Sequence, residues 1–504
     1  MPATQENKMN RSSTGLLRMT DDDRPFSRDL EDLFSTLIVS LMPFSAHRVW
    51  FTKVEYTFLS EDAIQNLGSL KFSQSNRMPN PKDPSRIVTT TTTTTFSMSK
   101  DMGRSLCQLF LNARFIESAD GKSEQQYTMR GTVWQLTPKG IVILERFCSK
   151  SGVQLKQLVE LTNLFSIQLI TLERDAETDK LFQDESIVQV IFSRFAGAKG
   201  QGSQSPPGTG ESSFSGDQKS SPGVKVAAER RVNGRLYLNT FTGKAGLDWL
   251  MENSTTIDWQ EAIEVASLFV RHNLVEQVLQ DQDLPSPSDP KLFQPSKGAL
   301  YRITPRGKSP VSSNPSRSGS QNKREAASQH YNSKDSNTHR LDKILSDPTL
   351  RLLFRENLRE MHCEENLSFY LEVDGFIRNC KAATRNLQQS TDEASSDKAK
   401  DLLALSYGIY NAYLAPGSPR ELNIHHQLRK SLASRMTKVA AEDNTIAEVL
   451  REVTSLFEDA QSAVFKLMTS VSLLIENFSL ADYTDNCNRT QYRSSFKIQN
   501  MHFK

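Results

Sequence analysis

The phrase Glu364-Glu-Asn-Leu-Ser-Phe-Tyr-Leu371 carries the strongest structural signal in this chain of 504 residues. Its carboxylates precede its apolar residues, which is typical of the first turn of a helix, because the positive end of the helix dipole favours acidic side chains there. Upstream, Ser346-Asp-Pro348 predicts another helix start, with Asp347 as the N-cap and Pro348 in the first turn. From Leu341 onward the pattern predicts one helix after another.

Further phrases of this region occur in a specific order. They are LSDPTLRLLFRENL (345–358), YGIYNAY (407–413), RELNI (420–424) and FEDAQ (457–461). Together with Glu364–Leu371 they resemble regulator-of-G-protein-signalling (RGS) domains, with Tyr370 in place of the usual Trp. The resemblance runs from about Leu341 to Met468 and implies an all-α RGS bundle, which we expect over residues 340–480.

The resemblance also implies a partner and an activity. RGS domains accelerate GTP hydrolysis by a Gα subunit and add no chemical group of their own, because Gα already holds Mg²⁺, an Arg and a water-orienting Gln. The family match would place the Asn366 carboxamide beside that Gln, Glu365 on a switch segment and Asn423 on another. The residues it implies for Gα binding are Glu365, Asn366, Asn423, His362, Cys363 and Leu467.

Two other interpretations of this loop remain open at the level of sequence. Asn366 could be a first-turn residue that only faces water. Cys363 beside His362 could form a nucleophile and its base, although no acid or oxyanion-hole pattern accompanies them. The sequence predicts no catalytic residue, cofactor or metal site, and His425-His426 has no further ligand at metal spacing.

After Met468 the resemblance stops abruptly. Val471 and Ile475 stand where the family has a polar and a basic contact to Gα. Either the C-terminus comes from a truncated or differently spliced reading frame, which we favour, or the domain has lost part of its Gα surface. The second reading supports an alternative function, a Gα-binding or signalling scaffold that does not accelerate hydrolysis.

An internal repeat precedes the helical region. Leu109-Phe110 and Phe115-Ile-Glu117 parallel Leu268-Phe269 and Leu274-Val-Glu276, and Trp134–Gly140 (WQLTPKG) parallels Tyr301–Gly307 (YRITPRG). Each copy predicts an amphipathic helix, a hairpin loop and a short strand closed by Thr-Pro-basic-Gly. The second copy, with the phrase YLNTFTGKAGLDWL at 237–250, resembles the DEP domains of fungal regulators. Two winged-helix-like α+β DEP domains are therefore expected, the first with an inserted Thr run, Thr89–Thr95, interpreted as a solvated loop.

Tracts rich in Ser, Gly and Pro separate the folded segments, because they cannot bury a core. The expected organisation is a disordered N-terminus (1–27), a first DEP-like domain (28–140), a helical connector (141–196), a disordered linker (197–225), a second DEP domain (226–307), a second linker (308–339), the RGS domain (340–480) and an unmatched tail (481–504). This arrangement resembles fungal developmental regulators that restrain Gα signalling in growth and sporulation. By the same resemblance the DEP region would bind a receptor tail or a membrane lipid.

Composition excludes several other classes. Formal net charge is +2, from 61 basic and 59 acidic residues, so no overall field favours nucleic acid. A winged-helix nucleic-acid binder is also disfavoured because the helix around Ile263–Val270 offers Glu261 and Glu264 rather than a basic face. The 5 scattered cysteines suit a reducing compartment, and no secretory signal or apolar span is evident. We therefore expect a cytoplasmic protein recruited peripherally to the plasma membrane.

Overall fold

A computed structural model describes most of the chain. The described residues are 17–80, 83–121, 126–165, 167–197, 223–281, 291–308, 333–389, 393–418, 420–438 and 445–472. The predictions of disorder for 1–16, 198–222 and 309–332, and the predicted tail 481–504, lie outside these residues. The predicted linker 308–339 is wrong at its end, because residues 333–339 belong to a helix, Ser333–Ser346. Residues 17–26, which the sequence assigned to the disordered N-terminus, are described, and Arg18 there donates to Asp29 at 2.7 Å.

The first fold has a winged-helix architecture, with helices packed on a small antiparallel sheet. Its elements are α1 (Ser27–Leu41), β1 (Ser45–Val49), β2 (Thr52–Leu59), α2 (Ser60–Leu67), β3 (Leu70–Asn80), β4 (Asp83–Phe96), α3 (Lys100–Asn112), β5 (Ile116–Ser118), β6 (Val133–Leu136), α4 (Pro138–Ser151) and α5 (Lys156–Leu164). The sheet order is β1-β2-β6-β5. Phe34, Phe110, Phe115 and Trp134 lie in the core between sheet and helices, each no more than 1% exposed.

The first part of the predicted connector belongs to this core. Helix α4 begins at Pro138, and its Ile141, Ile143 and Leu144 pack in the same cluster as Phe34. Helical periodicity in the sequence correctly indicated helices here, but periodicity does not show which core a helix joins.

The Thr run was interpreted wrongly as a loop. Thr89–Thr95 lies in β4, which pairs with β3 in an antiparallel two-stranded sheet from Leu70↔Phe96 to Asn80↔Asp83. Threonine is β-branched and favours extended backbone, so a Thr run supports a strand wherever a partner strand is at hand.

The second fold contains a four-stranded sheet with the same topology as that of the first fold. Its elements are β7 (Ala227–Val232), β8 (Arg235–Thr242), α7 (Gly243–Asn253), α8 (Trp259–Arg271), β9 (Val275–Leu279), β10 (Leu300–Ile303) and α9 (Pro305–Lys308). The strand order β7-β8-β10-β9 corresponds to β1-β2-β6-β5 of the first fold. Helix α6 (Glu185–Ala196), from the predicted connector, packs Phe192 and Phe195 on Phe269 of α8, with ring centroids 5.0 and 5.1 Å apart.

The Thr-Pro-basic-Gly phrase has the same atomic role in both folds. Thr137 Oγ1 accepts from Gly140 N–H at 3.0 Å and donates to Arg114 O at 2.6 Å, so it caps the helix and ties it to the preceding hairpin. Thr304 does the same, accepting from Gly307 N–H at 3.1 Å and donating to Asn273 O at 2.6 Å. The phrase therefore begins a helix after the strand rather than only closing the strand.

Helices make up the C-terminal region. They are α10 (Ser333–Ser346), α11 (Pro348–Glu360), α12 (Glu364–Gln389), α13 (Glu393–Ile409), a π-helical turn (Tyr410–Leu414), α14 (His426–Lys438) and α15 (Ile446–Ser472). The predicted cap at Asp347 is confirmed, since its Oδ1 accepts from Thr349 N–H at 2.8 Å and Leu350 N–H at 3.2 Å. Asn366 lies in the first turn of α12, as the sequence predicts.

The described residues fall into two compact units. One takes in the described residues within 17–181, 254–258 and 355–467; the other takes in those within 182–253, 259–354 and 468–472. The first unit thus contains the first fold, most of the helical region and a short segment from the middle of the chain. In that segment Thr256 O accepts from the buried Lys139 Nζ at 2.5 Å, and Ile257 joins the core cluster.

Candidate functional site

The loop between α11 and α12 is a tight helix-to-helix turn. His362 N–H donates to Arg359 O at 3.1 Å, and Cys363 N–H donates to Leu358 O at 2.9 Å. His362 has φ 55°, so this pattern is a Schellman cap with histidine in its left-handed position. Histidine is among the few residues other than Gly that adopt this conformation readily. The cap ends α11 and starts α12 within three residues, which fixes the direction of the Glu364–Asn366 turn.

A salt bridge across the loop reinforces the cap. Arg359 Nε donates to Glu364 Oε2 at 2.9 Å, and Arg359 Nη2 donates to Glu364 Oε1 at 2.8 Å, a bidentate pair. Burial opposes the charge on Glu364, but Arg359 outweighs it and holds the pKa of this carboxyl below its usual value. The loop is therefore closed by backbone and side-chain bonds together.

Asn366 and Glu365 lie on this closed loop, both half-buried. Asn366 Nδ2 donates to Cys363 O and to Glu365 Oε1, each at 3.1 Å. The two side chains therefore form one linked pair at the N-terminus of α12. Burial raises the pKa of Glu365, and the neighbouring Glu364 adds to that effect while Arg420 opposes it.

Cys363 does not have the environment of a nucleophile. Burial raises the pKa of its thiol, and the Glu365 carboxylate raises it further. An activated cysteine needs the opposite shift, since the thiolate is the reactive form. His362 is exposed and sits at the turn position of the cap. The structure therefore disfavours the Cys–His nucleophile that the sequence left open.

Asn423 lies on a second loop, between the π-helical turn and α14. Leu422 and Ile424 on either side are buried, whereas Asn423 is exposed, so the alternating backbone presents Asn423 outward. Arg429 braces this loop, since its guanidinium pairs with Glu421 and donates to Leu422 O at 2.6 Å. Leu422 N–H also donates to Tyr413 O at 2.9 Å, which ties the loop back to the π-helical turn.

The predicted residues are brought together to different degrees. His362, Cys363, Glu365 and Asn366 share one loop. The Asn423 loop approaches it closely enough that the Arg420 guanidinium affects the pKa of Glu365. Leu467 is half-buried on α15, which contacts α12 where Gln461 Nε2 donates to Tyr370 O at 3.2 Å. No described contact joins Leu467 to Asn366.

Some residues of the site were missed by reasoning from sequence. Arg359 and Glu364 pair across a loop rather than at helical spacing. Arg420 acts on Glu365 from a distant part of the chain. A periodic sequence pattern therefore predicts neither interaction. The bidentate clamp could have been suspected only from the presence of Arg at the end of one helix and Glu at the start of the next.

Within the described ranges, no group of His, Cys, Asp and Glu side chains could hold a metal ion. The cysteines described there, Cys107, Cys148, Cys363 and Cys380, are free thiols. In the same part of the chain no helix is long and apolar enough to cross a bilayer.

Comparison with known families assigns the helical region. Residues 340–473 match the model of the regulator of G protein signaling domain. This helical region is an RGS domain. Residues 223–303 match the domain found in Dishevelled, Egl-10 and pleckstrin, so the second fold is a DEP domain. Residues 29–176 match the fungal-differentiation regulator winged helix domain, and the first fold is therefore a winged-helix domain of that type.

Two relatives match this chain over most of its length. The chain is a homologue of developmental regulator flbA of Emericella nidulans, with 50% identity over 474 residues that cover 92% of this chain and 64% of that protein. The chain thus spans a little under two thirds of that relative's length. It is also 26% identical, over 91% of this chain and 90% of the relative, to regulator of G-protein signaling 1 of Schizosaccharomyces pombe.

Proposed function

We propose that the chain is a negative regulator of heterotrimeric G-protein signalling, which uses its RGS domain to accelerate GTP hydrolysis by a Gα subunit. The observation that carries the proposal is the closed α11–α12 loop, which holds Asn366 and Glu365 on a rigid helix start. The RGS match over residues 340–473 and the similarity to flbA support it.

The proposed mechanism is stabilisation of the partner's switch segments. Around the α11–α12 loop the RGS domain offers amide, carboxylate and backbone groups. A rigid surface that fits the transition-state arrangement of the switches better than the ground state lowers the barrier without a chemical step of its own. The chain would therefore act as a GTPase activator and not as an enzyme.

The proposed Gα-binding residues are Glu365, Asn366, Asn423, His362, Cys363 and Leu467. Both amide hydrogens of Asn366 are used within the loop, which orients its Oδ1 to accept a hydrogen bond from a switch group or from the Gα glutamine. Because Asn366 is already bonded to Cys363 O and Glu365, little conformational entropy remains to be lost on binding.

Single-turnover GTP hydrolysis by a purified Gαi-like subunit tests the proposal. The full chain should accelerate hydrolysis, and Asn366→Ala should reduce that acceleration by at least about tenfold, since one positioned polar group lost at a transition state costs this much or more. Asn379→Ala is the matched control, because Asn379 is an exposed asparagine farther along the same helix.

Other outcomes of this experiment separate the alternatives. Equal loss in Asn366→Ala and Asn379→Ala would show that the α11–α12 loop is not the contact. No acceleration by a folded chain that still binds the transition-state form of Gα would favour the scaffold function. Val471, at the end of α15, and Ile475, outside the described residues, are the positions that motivate this alternative.

The remaining parts of the chain are proposed to deliver the RGS domain to its substrate. A DEP domain suggests recruitment to a receptor tail or to membrane lipid at the plasma membrane from the cytoplasm. The shared strand order and the repeated Thr-Pro-basic-Gly cap support the proposal that the first winged-helix domain is a divergent DEP-like copy. The name of the relative, developmental regulator flbA, supports a role in development. The resemblance to fungal developmental regulators extends the proposal to growth and to asexual development, including conidiation.

A further inference from the structure

The tip of the β1–β2 hairpin exposes two aromatic side chains. Val49 pairs with Thr52, so Trp50 and Phe51 form the two-residue turn between the strands. Trp50 is 69% exposed and Phe51 is 91% exposed, the largest exposures among the large apolar side chains described. Neighbouring aromatic residues this exposed on one turn are unusual for a soluble surface.

The corresponding hairpin in the DEP domain has a different turn. There Val232 pairs with Arg235, and the turn residues are Asn233 and Gly234 with φ 51° and 76°. The hairpins correspond in detail, since β1-β2 and β7-β8 hold equivalent places in sheets of the same order. Each also has a second positive φ six residues after the first, at Tyr56 and at Asn239.

This comparison shows what the aromatic turn costs. Asn-Gly is the preferred sequence for a two-residue hairpin turn that requires positive φ, because neither residue is strained there. Trp50 adopts φ 54° in the first hairpin, a conformation that is unfavourable for a bulky side chain. Trp50 therefore occupies a backbone position that costs conformational energy for a bulky residue, and yet its side chain is largely exposed.

The charged residues around the tip indicate which kind of surface the aromatic pair fits. Exposed Arg48 and Lys53 flank the aromatic pair, and Glu55, which pairs with Lys53 at 2.8 Å, lies farther from the tip. A tip with aromatic side chains at its end and basic side chains beside them matches the lipid–water interface, where aromatic rings sit at headgroup level and cations meet anionic headgroups.

We propose that Trp50 and Phe51 insert into the interfacial region of an anionic membrane and anchor the first winged-helix domain there. The size of the tip favours a bilayer over a protein partner, because two side chains fall far short of the surface that a stable protein interface buries. A bilayer needs no complementary pocket. One small apolar anchor gives only weak, reversible binding, so this hairpin acts together with a second attachment such as the DEP domain.

This inference goes beyond the recruitment proposed for the DEP domain, because it assigns a membrane contact to a different domain. It is also independent of the Gα activity. A failure of the GTPase assay would leave it standing, and a failure of the lipid experiment would not affect the proposed action on Gα.

Quenching of tryptophan fluorescence by brominated lipids tests the inference on the full chain. Vesicles contain phosphatidylcholine with phosphatidylserine, with or without bromine on the acyl chains near the headgroup. Of the other three tryptophans, Trp134 and Trp249 are 0% and 8% exposed and should not be quenched, whereas Trp259 of the DEP domain is half-buried and sets a background common to all variants. Brominated vesicles should quench the emission of the wild-type chain beyond this background, and the excess should disappear in Trp50→Phe.

The decisive variant exchanges the turn for that of the other hairpin. Trp50→Asn with Phe51→Gly creates a favourable turn, so it should fold at least as well as the wild type while binding anionic vesicles about tenfold more weakly. Leu405→Gln, which removes a 43% exposed leucine on α13, is the control and should bind as the wild type does. Unchanged binding by the turn variant, or vesicle binding without quenching of Trp50, would overturn the proposal.

Discussion

Glu372 is a carboxylate shared by two domains. It lies on α12 of the RGS domain, but Arg28 Nη2 and Lys150 Nζ of the first winged-helix domain approach its Oε1 at 3.0 and 3.6 Å. Tyr413 Oη donates to its Oε2 at 3.2 Å. Burial opposes ionisation, yet Lys150 and Arg28 outweigh it, so the pKa of Glu372 lies below its usual value. One side chain thus couples the charge balance of both domains.

Replacing this carboxylate should destabilise the protein. In Glu372→Gln the two cations lose their shared partner, and we expect the free energy of unfolding to fall by about 1 to 2 kcal/mol at pH 7. The value is moderate because Arg28 is 54% exposed and its interaction is screened by water. Urea denaturation measures the change. Asp374→Asn, which breaks the exposed Asp374–Arg378 pair on the same helix, should change stability by less than about 0.5 kcal/mol.

The pH dependence of the free energy of unfolding, compared between wild type and Glu372→Gln, tests whether the stabilisation is electrostatic. A lowered folded-state pKa means that the stabilisation is present above the ordinary glutamate pKa of about 4.3 and is lost as the pH falls through the folded-state value. The difference between wild type and Glu372→Gln should therefore be constant at neutral pH and shrink in acid. A difference that persists below both pKa values would contradict the electrostatic explanation.

At the scale of elements, the strand-to-helix corner of each winged helix depends on a close backbone approach. A Cβ placed on Gly140 would lie 2.1 Å from Phe115 O, and one on Gly307 would lie 2.4 Å from Leu274 O. Real Cβ atoms do not approach backbone oxygen so closely. The final glycine of Thr-Pro-basic-Gly is therefore required by packing, while the threonine and proline begin the helix.

Alanine at this corner should be costly. Gly140→Ala forces α4 away from the β5 hairpin, and we expect a loss of more than about 2 kcal/mol in the free energy of unfolding. Gly375→Ala is the matched control in the middle of α12, where an added Cβ meets nothing within 4 Å. That variant should be stabilised by roughly 0.5 to 1 kcal/mol, because alanine favours helix. Thermal denaturation of both variants shows whether the loss of stability comes from the close backbone approach at Gly140 or from replacing any helical glycine.

Local patterns predicted most of these elements from the sequence. Asp347 and Pro348 mark the start of α11, and the carboxylates of Glu364 and Glu365 mark the start of α12, because capping and helix-dipole effects act within one turn. The Thr run was misinterpreted because a strand, unlike a helix start, depends on residues outside its own segment. Its strand depends on pairing with β3, and a partner strand is not visible in the composition of the run itself.

Contacts at the scale of the whole molecule were beyond local patterns. Arg355 of the RGS domain pairs with Glu173 of the first winged-helix region, and their side chains are only 14% and 6% exposed. Together with Glu372, this pair ties the two domains into one compact unit. Residues about 180 positions apart carry no common periodicity, so local sequence patterns could not predict these contacts between domains.

Breaking the Arg355–Glu173 pair should therefore destabilise helices of the RGS domain, although Glu173 lies outside that domain. Glu173→Ala leaves a buried guanidinium without its carboxylate, at a cost of about 2 to 4 kcal/mol. Hydrogen exchange should become faster in α11 and α12 although the substitution lies outside the RGS domain. Glu55→Ala, which breaks an exposed pair on the β1–β2 hairpin, is the control. Unchanged exchange in α11 and α12 would mean that the domains unfold independently.

The segment Ser254–Asp258 has a consequence for biosynthesis. It supplies Thr256 O to the buried Lys139 ammonium and Ile257 to the first core, although in the chain it follows strands β7 and β8 and helix α7 of the DEP domain. A nascent chain that has reached Leu181 therefore contains the first winged helix without the residues that complete it. The ribosome needs roughly 4 to 15 seconds to add the remaining stretch at usual elongation rates. During that interval we expect the growing chain to expose an unfinished core, a surface of the kind that chaperones bind during translation.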